Sequence, residues 1–101
     1  MAFFVVLHFV YILYSRKLDK YYIGRTSDLA KRLKFHNNPI ESRKFTTKGI
    51  PWEIVFSCEC IDVEEASRLE RTLKKLKSRR FIEKLISEPG LIDQFRAGKS
   101  T

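Results

Sequence analysis

Residues 9–24 read FVYILYSRKLDKYYIG, in which two apolar runs flank a short polar segment. The first run belongs to a longer apolar stretch, residues 3–15, whose Phe, Val, Ile and Tyr side chains predict a strand buried on both faces. The polar segment, residues 16–20, has the length of a hairpin connection, and a second strand begins at Tyr21. This part of the chain therefore predicts a β-hairpin.

Beyond the hairpin, the side-chain pattern predicts a helix, a loop and a third strand. Three capping side chains, those of Thr26, Ser27 and Asp28, stand just ahead of Leu29 and predict a helix over about residues 28–36, which Pro39 ends. A polar, basic loop over residues 39–51 leads to a strand over residues 52–60. The apolar side chains of this strand alternate loosely and are expected on one face: Trp52, Ile54, Phe56, Cys58 and Cys60.

The two cysteines lie two positions apart in the third strand. Side chains at such positions share a face and are poorly placed to form a disulfide. A metal site usually needs more ligands than this pair offers. We expect Cys58 and Cys60 to be reduced packing residues, as in a cytoplasmic protein.

The last third of the chain predicts two helices and a tail. Carboxylates near Asp62 occupy the first turn of the longest helix, and apolar residues then recur at helical spacing. A second helix over residues 78–87 ends at Pro89-Gly90. The tail, residues 90–101, carries three apolar side chains that are expected to dock on the core, namely Leu91, Ile92 and Phe95.

The predicted order β-β-α-β-α-α indicates an α/β sandwich of the α+β type. Its centre is a small, three-stranded, mainly antiparallel sheet flanked by helices. We find no internal repeat, low-complexity tract or linker in the sequence. We therefore expect one domain, residues 1–101, with its core over about residues 9–87.

The charge balance indicates a polyanionic partner. Twenty Lys plus Arg residues against twelve Asp plus Glu residues give a net charge of +8. Domains this basic usually meet nucleic acid, an acidic membrane or an acidic protein, although a charged surface also serves solubility. The apolar stretch over residues 3–14 is too short for a membrane helix and lacks the flanks of a signal peptide. We expect a cytoplasmic protein without a membrane partner.

Two tripeptides on the hairpin strands resemble those of the GIY-YIG nuclease family. Tyr22-Ile23-Gly24 matches the second family tripeptide in full, whereas Phe9-Val10-Tyr11 keeps only the tyrosine of Gly-Ile-Tyr. A capped helix with an arginine and a later helix with a lone glutamate follow in the family order. The resemblance covers about residues 9–85 and is strongest to small stand-alone members. Those members are similar to the N-terminal catalytic module of the bacterial excision-repair nuclease.

The resemblance implies roles for the two family tyrosines and the glycine. Tyr22 would orient or deprotonate the attacking water, and Tyr11 would support it. Gly24 would supply a positive φ or allow close approach of backbone or phosphate. Without the resemblance, a tyrosine in a strand is ordinary half-buried packing, which is our expectation for Tyr14 and Tyr21.

Arg32 and His36 are four residues apart and share one face of the first helix. A guanidinium can hold a phosphate through two parallel hydrogen bonds. The resemblance makes Arg32 the catalytic arginine and His36 a second contact to the phosphate or the leaving group. The alternative for His36 is a solvated residue near a helix end, favoured by the helix dipole.

Glu70 borders the apolar stripe of the longest helix, within residues 68–84, which hold eight basic side chains. One interpretation is an ion pair with Arg71 or Lys74. The resemblance instead makes Glu70 the metal ligand for Mg²⁺ or Mn²⁺, which keeps most of its hydration shell. If so, Glu70 should converge with the two tyrosines and the arginine in one groove of the sheet face.

One departure from the family lies after the glutamate helix, where several members carry an asparagine. Here the tail offers Asp93 and Gln94, and the asparagines of the chain are Asn37 and Asn38. Either this subgroup dispenses with the amide or its activity is altered.

These residues predict a divalent-metal-dependent endonuclease that hydrolyses phosphodiester bonds in DNA, in repair or genome maintenance. The alternatives are a nucleic-acid-binding module of the same fold with weak or no catalysis, and a nuclease directed at RNA. Phosphate contacts give affinity without sequence choice, so specificity would come from nucleic-acid structure or a protein partner. The basic side chains expected to bind substrate are Arg43, Lys44, Lys48 and Lys74.

Overall fold

The structure, a computed structural model, describes residues 7–42 and 44–96. Its strands form one antiparallel sheet in the order β2-β1-β3, with β1 (His8–Ser15), β2 (Lys20–Thr26) and β3 (Trp52–Cys60). The helices are α1 (Leu29–His36), α2 (Lys44–Lys48), α3 (Val63–Leu76), α4 (Arg79–Ser87), a 3₁₀ turn (Pro89–Ile92) and α5 (Asp93–Arg96). The predicted α+β architecture with a three-stranded antiparallel sheet is confirmed. Residues 3–6 of the predicted first strand lie outside the described residues.

Strand β1 is central and buried on both faces, as its continuous apolar pattern predicts. Val10 and Ile12 face one core, which contains the apolar stripes of α3 and α4. Tyr11 and Leu13 face a second, smaller core with Trp52 and with apolar residues of α1. The sheet therefore separates two layers of helices, and α1 lies opposite α3.

The apolar residues of β3 do not share one face, so that prediction was wrong. Ile12 pairs with Phe56, whereas the next residue of β1, Leu13, pairs with Ile54. Two steps along β3 thus match one step along β1, which is a bulge at Val55. A one-residue shift reverses the faces, so Trp52 and Ile54 join the small core with α1. The remaining three, Phe56, Cys58 and Cys60, face the core with α3.

The predicted loop over residues 39–51 contains a short helix, α2. Carbonyl groups of this segment receive tertiary hydrogen bonds that hold it in place. Trp52 Nε1 donates to the Thr46 carbonyl at 2.6 Å, and Ser15 Oγ donates to the Gly49 carbonyl at 2.7 Å. A polar local sequence does not encode these partners.

The tail docks as predicted, up to the end of the described residues. Leu91, Ile92 and Phe95 pack against the core with α3 and α4. Arg96 then ties the last helix to the sheet, since its Nη1 donates to the Glu59 carbonyl at 2.6 Å. Residues 97–101 of the predicted tail lie outside the described residues.

Both cysteines are buried in the same core and neither forms a disulfide. Burial raises the pKa of the Cys60 thiol to about 12, which keeps it protonated at neutral pH. The prediction of reduced packing residues is confirmed. Within residues 7–42 and 44–96, the structure has no helix with the length and apolar character needed to cross a membrane.

Candidate active site

Helix α1 carries two of the predicted site residues and is held at both ends. The Asp28 side chain caps it by accepting from the Lys31 backbone N–H at 3.0 Å. Just past its last residue, Asn37 clamps the backbone of Trp52. Asn37 Nδ2 donates to the Trp52 carbonyl at 3.0 Å, and Asn37 Oδ1 accepts from the Trp52 N–H at 2.6 Å. The Asn37 contacts tie the C-terminal end of α1 to β3.

Tyr11, on the central strand, lies between Arg32 and His36 of α1. Its hydroxyl contacts His36 Nε2 at 3.0 Å and accepts from Arg32 Nε at 3.4 Å. The ring of Tyr22 lies 4.8 Å from the imidazole of His36, measured between ring centroids. The structure therefore brings together four of the predicted catalytic residues: Tyr11, Tyr22, Arg32 and His36.

His36 is only 1% exposed, so the alternative of a solvated residue at a helix end was wrong. Its imidazole lies among the rings of Tyr11, Tyr22 and Phe35. In this position His36 contacts the tyrosine hydroxyl rather than the solvent. To act on the leaving group, as the resemblance implies, His36 would have to act through the Tyr11 hydroxyl that it contacts.

Burial is the largest influence on the Tyr11 phenol and raises its pKa above the ordinary value of 10.0. The hydrogen bond and the charge of Arg32 oppose this shift, while Glu70 adds to it. Tyr11 is therefore a neutral phenol at neutral pH. Tyr22 is only half-buried and is the more accessible of the two family tyrosines.

Gly24 is required by the ring of Tyr11 rather than by a positive φ. Gly24 and Tyr11 are direct partners across the β1–β2 pair and share a face of the sheet. A Cβ atom at position 24 would lie 2.6 Å from Cζ of Tyr11. The family glycine therefore makes room for the family tyrosine, and it is buried beneath that ring.

Glu70 approaches the cluster from the other face of the sheet. Its helix, α3, packs on the core opposite α1, whereas Tyr11 and Tyr22 belong to the small core with α1. Because side chains alternate along β2, Arg25 points to the opposite face from Gly24. There it forms an ion pair with Glu70, with 3.3 Å between Arg25 Nε and Glu70 Oε1. Glu70 thus approaches strand β2 from the face covered by α3, whereas the two tyrosines lie on the face covered by α1, and the convergence of all four residues in one groove stays a prediction. The Glu70 charge still reaches Tyr11, since it raises that pKa.

The Glu70 carboxylate is 19% exposed and both of its oxygens are engaged. Oε1 contacts Arg25 Nε, and Oε2 contacts Lys74 Nζ at 3.1 Å. The predicted pairing with Lys74 is confirmed, and Arg25 rather than Arg71 is the second partner. Within the described residues, no group of three or more His, Cys, Asp or Glu side chains is arranged to hold a metal.

An open groove of about 510 Å³ runs along the outer side of α1. Arg32 lines it together with Lys31 and Lys34. The guanidinium of Arg32 also lies over the ring of Phe35, at 4.5 Å from its centroid. Arg32 thus links the buried tyrosine to an open groove, whose lining has three basic side chains, those of Arg32, Lys31 and Lys34, and two acidic ones, those of Asp28 and Glu41.

Residues 7–84 match the GIY-YIG catalytic domain family. This chain belongs to the GIY-YIG family. Two relatives are a UPF0213 protein of Streptococcus pneumoniae serotype 4 (strain ATCC BAA-334 / TIGR4), 34% identical, and the UPF0213 protein YazA of Bacillus subtilis (strain 168), 36% identical. Each alignment spans 69 residues, which are 68% of this chain and 68% of the relative.

The solution NMR structure of a UPF0213 protein from Bacillus halodurans has a similar fold. It is 34% identical, with a TM-score of 0.50, and the match covers 80% of this chain and 83% of that chain. The predicted family and fold are confirmed. Family membership makes this a nuclease-type domain whose general ligand is nucleic acid, and such nucleases generally use divalent metals.

The remaining predicted residues of this GIY-YIG domain are not part of the cluster around Tyr11 or lie outside the described residues. Lys48 is exposed at the end of α2. Arg43 lies outside the described residues, as does the side chain of Lys44, the first residue of α2. In the tail, Asp93 pairs with Arg96 at 2.7 Å, so it takes part in a local ion pair.

Sequence reasoning missed two residues that shape this GIY-YIG site. Arg25 follows Gly24 directly, and strand alternation was the available signal that it faces α3. Asn37 stands out in the sequence only as one of the two asparagines. Its clamp on Trp52 depends on the bulge in β3, for which the sequence carries no clear signal.

Proposed function

We propose that this GIY-YIG domain is a divalent-metal-dependent endonuclease that hydrolyses phosphodiester bonds in DNA. Repair or genome maintenance in the cytoplasm is the proposed setting. The observation that carries the proposal is the Tyr11 hydroxyl, held between Arg32 and His36 and within reach of the Glu70 charge. Residues that are far apart in sequence thus form one polar cluster beside an open groove that Arg32 lines, an arrangement suited to hydrolysis of a phosphodiester.

In this mechanism Tyr22 acts on the attacking water, because it is the accessible tyrosine. Tyr11 stays neutral and positions Arg32. Since the Tyr11 oxygen accepts from Arg32 Nε, we assign its own hydrogen to His36 Nε2. Anchoring through Nε leaves the Nη fork of Arg32 to hold a phosphate by two hydrogen bonds.

Glu70 is the proposed anchor for Mg²⁺ or Mn²⁺. A single carboxylate suits Mg²⁺, which is commonly held by one or two carboxylates together with waters and substrate oxygens. When bound, the ion would neutralise phosphate charge and favour an ionised water. Arg25 and Lys74 are exposed enough to turn from Glu70 toward substrate phosphates, which frees the carboxylate.

The second candidate function is a nucleic-acid-binding module without catalysis. The doubly ion-paired Glu70 favours it, because a metal must compete with two cations for this carboxylate. The altered first tripeptide and the missing asparagine point the same way. A direct assay of cleavage separates this module from the endonuclease.

The test of the proposed function is a cleavage assay on plasmid, single-stranded DNA and RNA, with Mg²⁺, Mn²⁺ or a chelator. We expect metal-dependent nicking of DNA and no cleavage with chelator. Tyr22→Phe should slow cleavage about a hundredfold, because a positioned acid–base group is lost. Tyr14→Phe is the matched control, since the Tyr14 hydroxyl binds Asp19 in the hairpin. If the protein binds DNA but cleaves nothing with either Mg²⁺ or Mn²⁺, it is the binding module instead. If it cleaves only RNA, then RNA replaces DNA as the proposed substrate.

Binding of DNA by the wild-type protein should weaken steeply with salt. Phosphate contacts release counterions, so the logarithm of affinity falls linearly with the logarithm of salt concentration. We expect at least about a tenfold loss between roughly 50 and 200 mM salt, measured by fluorescence anisotropy in chelator. Lys48→Gln should lower the magnitude of the slope by about one. A flat response would assign the +8 charge to solubility alone.

A further inference from the structure

Phe45 is a large aromatic residue held at the surface, 49% exposed, on α2. Lys20 places its Nζ 6.0 Å from the centroid of this ring. We propose that Phe45 and Lys20 form a stacking subsite for one unpaired nucleobase next to the catalytic cluster. The proposal rests on the proposed function, because it takes DNA as the ligand.

The position of Phe45 is fixed by the residues around it. Its neighbour Thr46 is buried, and the Thr46 carbonyl accepts from the indole of Trp52 at 2.6 Å. At the end of the same segment, the Gly49 carbonyl accepts from Ser15 at 2.7 Å. Single exposed apolar residues are common on protein surfaces and need no function. Phe45 differs because a rigid support holds its ring outward beside a cation.

The subsite lies on the same face as the catalytic tyrosines. Lys20, Tyr22 and Gly24 alternate along β2, so their side-chain directions agree. Lys20 is therefore about 7 Å from Tyr22 along the strand, by the usual rise per residue. A base on Phe45 would thus lie on the same side of the sheet as a phosphate at Tyr22, beside a lysine two residues from Tyr22 along β2.

The chemistry of the subsite selects unpaired bases. An aromatic ring stacks on any base, since every base has a π-face, and neighbouring lysines hold the backbone phosphates. Lys20 and the exposed Lys48 supply such charges. In a duplex the base faces are covered by their neighbours, so Phe45 would gain a base only from a single strand, a flap or a splayed end. The subsite therefore favours DNA with unpaired nucleotides beside the cut.

The test compares single-stranded DNA with a blunt duplex of the same sequence, by fluorescence anisotropy in chelator. Phe45→Ala should weaken single-strand binding about fivefold to a hundredfold and duplex binding less than about twofold. Phe45→Trp should bind single strands at least as well as wild type, because indole also stacks. Ile40→Ala is the matched control, since Ile40 is 92% exposed near the same basic segment.

Thermal melting of each variant confirms that its fold is intact. Equal losses on both DNA forms, or unchanged binding by Phe45→Ala, would overturn the subsite. A changed oligomeric state with intact DNA binding would overturn it too, in favour of a protein contact. Wild-type protein that binds no nucleic acid would instead refute the proposed function, and with it the subsite. A single-strand-selective loss in Phe45→Ala, with a wild-type protein that binds without cleaving, would support the subsite and refute the endonuclease.

Discussion

Glu70→Gln should lower the rate of DNA cleavage at least about a hundredfold, which corresponds to about 3 kcal/mol of transition-state stabilisation. The amide keeps the size of the side chain but removes the negative charge that anchors the metal. Loss of the ion pairs with Arg25 and Lys74 should change the free energy of unfolding by only about 1 kcal/mol. Affinity for DNA should persist or rise, because a negative charge beside the phosphate has gone.

The matched control is Glu83→Gln, which removes a carboxylate from another ion pair of spacing i,i+4, that with Arg79. It should leave cleavage unchanged. Nicking rate, melting temperature and a binding isotherm measured on both variants distinguish a metal ligand from a structural ion pair. Wild-type cleavage by Glu70→Gln, together with reduced stability, would show that Glu70 serves only the ion pairs.

Gly24→Ala should damage both the active site and the sheet. The new Cβ would collide with the Tyr11 ring, and that ring is held by His36 and Arg32. Either the tyrosine moves off its partners or β2 is pushed from β1. We expect a loss of about 1–3 kcal/mol in the free energy of unfolding, as in other overpacked cores. Cleavage should fall about tenfold or more, because Arg32 loses its anchor.

Gly90→Ala is the control for this substitution, because a Cβ built at position 90 meets no atom of the described residues within 4 Å, its own chain neighbours apart. It should leave melting temperature and cleavage nearly unchanged. Denaturant titration and the nicking assay, applied to both variants, test the steric argument. A Gly24→Ala protein as stable and active as the wild type would mean that Tyr11 relaxes freely and that its position is unimportant.

Much of this fold follows from local patterns in the chain. The apolar run of β1 predicts a central strand, because a strand that is buried on both faces has apolar residues at consecutive positions rather than at alternate ones. The capping side chains of residues 26–28 predict where α1 begins, because such a side chain replaces a missing backbone partner, and in the structure Asp28 is the cap. The family tripeptides identify Tyr11, Tyr22 and Gly24 as a set, and Arg32 follows by its place in the first helix.

Contacts between distant residues decided the rest. The bulge at Val55 turns Trp52 to the face of α1, where it anchors both Asn37 and α2. Alternation counted along β3 missed this reversal, because a bulge depends on pairing with β1 rather than on local sequence. The same dependence on distant partners explains why a polar loop contains a helix.

The burial of His36 and the face of the sheet on which Glu70 lies also depend on tertiary structure. Helical spacing places His36 on the same face as Arg32, but the packing of α1 on the sheet determines that one is buried and the other lines a groove. Likewise, the pattern of α3 locates Glu70 beside its apolar stripe without showing which face of the sheet α3 covers. A sequence records the periodicity of each element, whereas the depth and partners of a side chain depend on where the other elements lie.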